Sequence, residues 1–210
     1  MKKHLLIALI FALAGICFAA GNADNQKLKD VCAMLSEHPI TKGNFTQIKS
    51  VKTAKGSRDL KSSGEFIFCP DGIMWKTLKP FPSSMIVGTD FIAQVVADGT
   101  KNVTDTSNNQ TFASVASTIS AVFSNDYDNL TKAFNTSLSV QADGNIKITL
   151  VPKDSTIASV LSSIDLLVAG NQINGIVMTE ASGNATSYIF ENQTYPKELS
   201  KDEKALFSNK

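Results

Sequence analysis

Three cysteines and two histidines are the only soft nucleophiles and soft metal ligands in the 210 residues. Two of them, His4 and Cys17, fall in the first nineteen residues; His38, Cys32 and Cys69 remain beyond. A conventional zinc site takes three or four Cys, His or carboxylate ligands at close spacing, and the chain has no such run. Ser-His-Asp chemistry would have to use His38. That residue sits in Ser36-Glu37-His38-Pro39, at the expected end of a helix, where an imidazole complements the helix dipole. A Gly-x-Ser-x-Gly elbow, a phosphate-binding glycine loop and a His-Glu-x-x-His pair are all missing from the sequence. The carboxylate pairs Asp126/Asp128 and Asp202/Glu203 read as a solvated turn and a helix start. Lys and Arg number 20 against 19 Asp and Glu, a formal charge of +1, and Arg58 is the only arginine. Neither a basic footprint for nucleic acid nor an arginine cluster for bidentate phosphate recognition is present.

With chemistry set aside, the chain reads as a folded binding protein. Hydrophobic residues make up 43% and charged residues 19%. This is too apolar for disorder and ordinary for a single domain. Met1-Lys2-Lys3-His4 is a basic start, Leu5–Phe18 an uncharged apolar run, and Cys17-Phe18-Ala19 places small residues for a cut before Ala20. The expectation is a signal peptide over 1–19 and one exported domain over 20–210. Leu13-Ala14-Gly15-Ile16-Cys17 approaches a lipidation signal, but the residue before the cysteine should be small and Ile16 is not. Removing 1–19 takes away two lysines and leaves a formal charge of −1. No later run is long enough to span a bilayer as a helix.

Asn25–Glu37 predicts an amphipathic helix, with Leu28, Val31, Cys32 and Leu35 on one stripe. From Ile40 to Asp105 the pattern turns to short strands: Asn44–Val51, Gly64–Cys69, Ile73–Thr77, Ser84–Val87 and Phe91–Val96. Lys52–Asp59 reads as a polar loop, and Pro70-Asp71-Gly72 and Asp98-Gly99 as turns. Phe112–Phe123 predicts a helix, with a second short one through Tyr127, Leu130 and Phe134. Strands resume at Ser137–Gln141, Asn145–Val151, Ile164–Val168, Gln172–Thr179 and Ser187–Glu191, and Lys201–Phe207 ends the chain as a helical turn. The expected class is α+β, mainly antiparallel: roughly ten strands by this reading, curling into an incomplete barrel with helices on its concave apolar face.

Two blocks of residues carry a family resemblance. The first is Phe45-Thr46-Gln47, then Ser63-Gly64-Glu65-Phe66-Ile67-Phe68-Cys69-Pro70, then Trp75 and Pro80. The second is Leu150-Val151-Pro152-Lys153, Ile164–Val168, Gly175–Met178 and Gly183–Asn192, ending in Phe207. In order and spacing they resemble the outer-membrane lipoprotein carrier proteins, the LolA family. The resemblance implies a half-open barrel lidded by helices. It also implies a periplasmic carrier that shields the acyl chains of lipoproteins, or of a related lipid, between the inner and outer membranes. Its partners would be the acylated cargo, an inner-membrane exporter and an outer-membrane acceptor, with no cofactor and no catalysis.

Carried over residue by residue, the resemblance makes Leu35, Phe66, Phe68, Ile73, Trp75, Met85 and Ile119 candidates for the cavity. It makes Pro70, Asp71, Gly72, Ile73 and Met74 a candidate exporter-binding turn. The family's basic residue before the turn proline, which holds the lid, falls here on Cys69. A Cys32–Cys69 disulfide could tie the first helix to the sheet instead; the alternative is two free, buried cysteines. Asp71–Trp75 and Lys79-Pro80-Phe81 resemble a branch of LolA-like proteins found beside lipid-exporting transporters, which leaves the cargo open. Two other classes compete. A lipid hydrolase would need His38, and a non-carrier binding module would hold a protein surface and no lipid.

Overall fold

The computed structural model describes residues 16–89, 91–105, 120–122 and 124–208, with the backbone alone at 16–24 and 105. Helix α1 (Ile16–Leu35) is followed by six strands: β1 (Thr41–Thr53), β2 (Gly56–Cys69), β3 (Gly72–Lys79), β4 (Ser83–Val87), β5 (Phe91–Val95) and β6 (Lys101–Asp105). After helix α2 (Tyr127–Ala133) come β7 (Phe134–Val140), β8 (Ile146–Pro152), the one-turn α3 (Ser155–Ala158), β9 (Leu161–Ala169), β10 (Gln172–Glu180) and β11 (Ala185–Thr194). Helix α4 (Lys201–Leu206) is the last element.

All eleven strands form one sheet, ordered β6-β5-β4-β3-β2-β1-β11-β10-β9-β8-β7. Every pairing is antiparallel. Two meanders, β1–β6 and β7–β11, are thus joined where the first strand pairs with the last, Phe45 opposite Phe190 and Gln47 opposite Tyr188. Strands β6 and β7 are the two free edges, so the barrel stays open. This is the expected fold class.

The concave face carries the main core. Its residues come from α1 (Leu28, Val31, Cys32, Leu35), from α2 (Leu130) and from strands across the sheet, among them Phe66, Phe68, Ile73, Ile164, Leu166 and Ile176. The predicted α1 stripe is the buried one. The helix begins nine residues earlier than the Asn25 expected and ends two earlier, at Leu35. Pro39 lies just beyond, with no N–H to continue the ladder. Strand alternation sends the intervening side chains to the convex face. There Ile67, Cys69, Met74, Ile86, Phe91 and Ala93 form a second cluster, covered by Leu199, Phe207 and Ile40. Helix α4 is held by a capping box between Ser200 and Glu203, and the Lys42 ammonium donates to the Glu203 carboxylate.

Two readings of the strands change. Lys52–Asp59 is not a loop: β1 and β2 run on to a two-residue turn at 54–55, where Gly56 has φ 121° and the Thr53 hydroxyl donates to the Gly56 carbonyl at 2.8 Å. This hairpin projects past its neighbours into water, so it has no apolar face to read. The polar edge strand β6 escaped notice for the same reason. The predicted helix Phe112–Phe123 lies outside the described residues except at 120–122, which are helical, with Ala121 and Val122 buried in the core.

The disulfide is also corrected. Cys32 and Cys69 are free thiols on opposite faces of the sheet, one in each cluster. A bridge would have to pass through β2. Burial pushes the Cys32 thiol up to about 11 and raises that of Cys69 as well. Under denaturing, non-reducing conditions both cysteines should alkylate fully without prior reduction, whereas in the native protein they should react slowly. Peptide mass mapping of Cys32 and Cys69 checks this.

One glycine is fixed by packing. A Cβ on Gly64 would lie 1.9 Å from the Lys76 carbonyl oxygen, at the register shift where β2 meets β3. Gly64→Ala should therefore cost about 3 kcal/mol, the upper part of the range for overpacking. Urea unfolding monitored by circular dichroism should show the midpoint fall accordingly.

Candidate functional site

Helix α1 fills only part of the concave face. Beyond it an apolar cavity of about 380 Å³ opens toward one end of the barrel. One wall is built by three adjacent strands: Phe45, Gln47 and Lys49 of β1, Thr186 and Tyr188 of β11, and Ile176, Met178 and Glu180 of β10. These residues are alternate positions along each strand, so all face one way. Register aligns them: Gln47 lies opposite Tyr188 and Lys49 opposite Thr186, while on the other side of β11 Ile176 faces Tyr188 and Met178 faces Thr186. The second wall is Trp75 and Thr77 of β3, Ser83, Ser84 and Met85 of β4, and Gln94 of β5. Trp75, Met85 and Gln94 form one cross-strand row. Val160 and Leu161 complete the lining.

Strand β2 runs between the two walls, and the space depends on what it offers there. Opposite Phe45 and Thr77 it has Gly64, with no side chain, and opposite Gln47 it has Ser62. The Ser62 hydroxyl donates to the Gln47 amide oxygen at 3.0 Å. One turn of the pattern further along, the same strand presents Phe66 and Phe68, and the cavity stops. Their rings pack with Phe190 at centroid distances of 4.7 and 5.5 Å, and Phe68 meets Trp75 edge-on at 5.4 Å. This aromatic wall divides the helix-covered half from the open half.

The cavity is greasy at its floor and polar at its rim. Trp75 and Tyr188 meet at 5.6 Å, and burial drives the Tyr188 phenol up to about 12, so it stays protonated. The Trp75 indole N–H is buried without a hydrogen-bond partner. At the rim the Lys49 ammonium lies 3.3 Å from the Glu180 carboxylate. Glu180 is held below the usual carboxylate range first by the Asn184 and Ser182 side chains, which donate to it at 3.1 and 3.0 Å, and then by Lys49.

Of the expected cavity residues, Trp75 and Met85 line it. Leu35, Phe66, Phe68 and Ile73 do not: all are 2% exposed or less and form the packed core beside it. Ile119 lies outside the described residues. The sequence reading missed Phe45, Lys49, Met178, Glu180 and Tyr188; their alternation on β1, β10 and β11 was the available signal. In the expected partner turn only Pro70 and Asp71 are exposed. Ile73 and Met74 are buried on opposite faces of the sheet, and Gly72 takes φ 145° to make the turn.

His38 plays a structural part. Its ring stacks on Tyr195 at 4.0 Å, and its Nε2 is 3.1 Å from the Asn171 side-chain nitrogen, an amide rather than a carboxylate. Among the described residues no group of three or more His, Cys, Asp or Glu could hold a metal ion. No described helix is long and apolar enough to cross a membrane.

The depressed Glu180 carboxyl has a consequence for pH. Its stabilising share is present above the ordinary carboxylate pKa and is lost as the pH falls through the lower folded value. Glu180→Gln should lower the melting temperature at pH 7 and narrow the gap to wild type as the medium is acidified below about pH 4. Differential scanning calorimetry across that window checks it.

No curated protein sequence matches the chain. Several solved structures resemble it at low identity. A DUF1329 family protein from Desulfovibrio piger is 12% identical with a TM-score of 0.47, over 89% of this chain and 98% of that one. A LolA superfamily protein from Nitrosomonas europaea is 10% identical with a TM-score of 0.44, over 84% and 98%. The lipoprotein LppX of Mycobacterium tuberculosis is 11% identical with a TM-score of 0.42, over 83% and 99%. The sequence profile of the outer membrane lipoprotein carrier protein LolA, in contrast, matches residues 39–207, nearly the whole described sheet and α4. The chain belongs to the LolA family.

Proposed function

We propose that the protein is an extracytoplasmic carrier that shields an acyl chain in the cavity between β1, β11, β10 and β3–β5. The observation that carries this reading is an apolar space, open at one end, in a protein of a carrier family. The physical need is plain. Each methylene is worth about 0.8 kcal/mol, so a chain of about fifteen costs about 12 kcal/mol to expose to water. A carrier has to offset that cost and still release its load.

The size of the space bears on the cargo. Taking a methylene as similar to the share of liquid volume held by a water, about 30 Å³, 380 Å³ holds roughly a dozen methylenes. A single chain of about twelve methylenes fits the space as it stands. More chains require α1 to leave the concave face, exposing Leu28, Val31, Cys32 and Leu35. At about 1.5–3 kcal/mol per side chain that step costs about 6–12 kcal/mol, comparable to the burial of one further chain. The lid is therefore displaceable by cargo without a separate energy source. No lysine or arginine stands at Cys69 to latch it; among the described residues it is held by its apolar stripe and by Lys29 over the Tyr127 ring.

On this reading the segment 1–19 directs export and is removed, and residues 20–210 work in the periplasm. The cargo is a lipoprotein or related lipid passing from the inner to the outer membrane. The exposed tip Pro70-Asp71 is the exporter contact. The protein makes and breaks no bond.

Trp75, the single tryptophan of the chain, lines the cavity and reports on it. Lauric acid should shift its emission to the blue and be retained in native mass spectrometry. Met85→Trp would add a second tryptophan, so Met178→Phe, which narrows the space from the facing wall, is the better block. It should weaken lauric acid binding at least about tenfold, with the unfolding midpoint little changed. A wild-type protein whose Trp75 emission and mass stay unaltered by lauric acid would overturn the carrier reading.

A further inference from the structure

The β1–β2 hairpin is longer than the strands beside it. On one side, pairing with β11 ends at Ser50; on the other, pairing with β3 ends at Ser63. Residues 51–58 therefore extend past β11 as a two-stranded arm at the cavity mouth, and β2 is unpaired toward β3 over 56–62. At about 3.3 Å per residue the free part of β2 is about 20 Å long.

The inner face of this arm follows from register. Lys49 lines the cavity and lies opposite Leu60; Val51 lies opposite Arg58. Antiparallel partners share a face, so Lys49, Val51, Arg58 and Leu60 all continue the concave surface. Lys49 and Arg58 are diagonal neighbours, about 7–8 Å apart at the backbone, within joint reach of one small group. The acid on the arm faces the other way: Asp59 accepts from the Ser50 hydroxyl at 2.6 Å on the outer face. Lys49 is ion-paired across β11 with Glu180, whose carboxylate also accepts from Asn184 and Ser182, so Lys49 supports an incoming anion from the side while Arg58 is the cation left to grip it. Arg58 makes no ion pair among the described residues. Leu60, opposite Lys49 and two residues from Arg58 on β2, is 49% exposed. An apolar slot leads out into a strip of one leucine, one valine and two cations. That strip has the polarity of the junction between an acyl chain and an anionic head.

We infer that Arg58 on the overhanging β1–β2 arm, with Lys49 at the arm's base, forms a subsite for the anionic head group of the amphiphile whose chain fills the cavity, a phosphate or carboxylate carried at the chain's end. The inference rests on the carrier reading and adds to it a class of cargo. Arginine suits the task because its planar fork meets two oxygens at once, and a lysine cannot. The chain's single arginine thus sits where this geometry is useful.

The test compares two probes with the same twelve-carbon chain, dodecyl phosphate and uncharged monolaurin, each below its micelle concentration. Binding is read from Trp75 emission. Wild type should prefer dodecyl phosphate. Arg58→Gln should weaken dodecyl phosphate about tenfold and leave monolaurin unchanged, since one charge-assisted hydrogen bond is lost at a partly solvated site. Arg58→Lys should recover only part of the loss. Inorganic phosphate at the same concentration should not displace dodecyl phosphate. Arg58 is exposed and unpaired, so its substitution leaves folding intact. The inference is overturned if wild type binds both probes equally, if Arg58→Gln weakens both alike or neither, or if inorganic phosphate displaces the amphiphile, which would mark a free-anion site. If neither probe binds wild type, it is the carrier reading itself that fails.

Discussion

The pairing of the first strand with the last governs this molecule. Strand β1 lies between β2 and β11, and without the β1–β11 ladder the chain would be two separate meanders. Each alone would have one apolar face and nothing large enough to bury it. Joined, they make a sheet wide enough to curl, and curling turns the two faces into a single concave surface. The cavity walls draw on both halves, β10 and β11 from one and β1, β3, β4 and β5 from the other. Neither meander could hold a ligand by itself.

A curled sheet with one greasy face must cover that face. The long α1 does so along one half, its buried stripe joining the same apolar cluster as Phe68, Ile73 and Val168. The other half is left without a helix among the described residues. What keeps it from collapsing is stiffness. The walls are strands in fixed register, the end wall is a packed aromatic cluster, and β2 supplies Gly64 and Ser62 where larger side chains would fill the gap. The convex face is managed separately: the C-terminal segment folds back over Ile67, Met74 and Ile86, and the Lys42–Glu203 ion pair ties it down. Because one strand carries both the cavity residues and, on its other side, the anchor of that segment, the two layers are mechanically joined through β1.

The two cysteines show how face assignment decides chemistry. Both are buried and both lie in segments that a disulfide could join on paper. Yet Phe66 and Phe68 point into the concave core, so Cys69, one residue on, must point out of it. Cys32 is on the inside. Helix α1 is consequently held without a covalent tie, by its buried apolar stripe and by Lys29 over the Tyr127 ring at 4.8 Å among the described contacts.

Alternation, turn residues and the α1 stripe were local signals, and from them the strand-rich halves, the open antiparallel class and the family blocks were legible in the amino-acid sequence by itself. The β1–β2 arm and β6 were not, because strands exposed on both faces lose the alternation that marks a strand. Nor was the cavity. Phe66, Phe68 and Ile73 look as suitable in the sequence as Trp75 and Met85, and all five alternate on apolar strands. Only tertiary structure decided that the first three are sealed in the packed core and the other two line the cavity. That depends on which strands become neighbours and where the helix ends, and pairings between residues more than a hundred positions apart leave no trace in any local window.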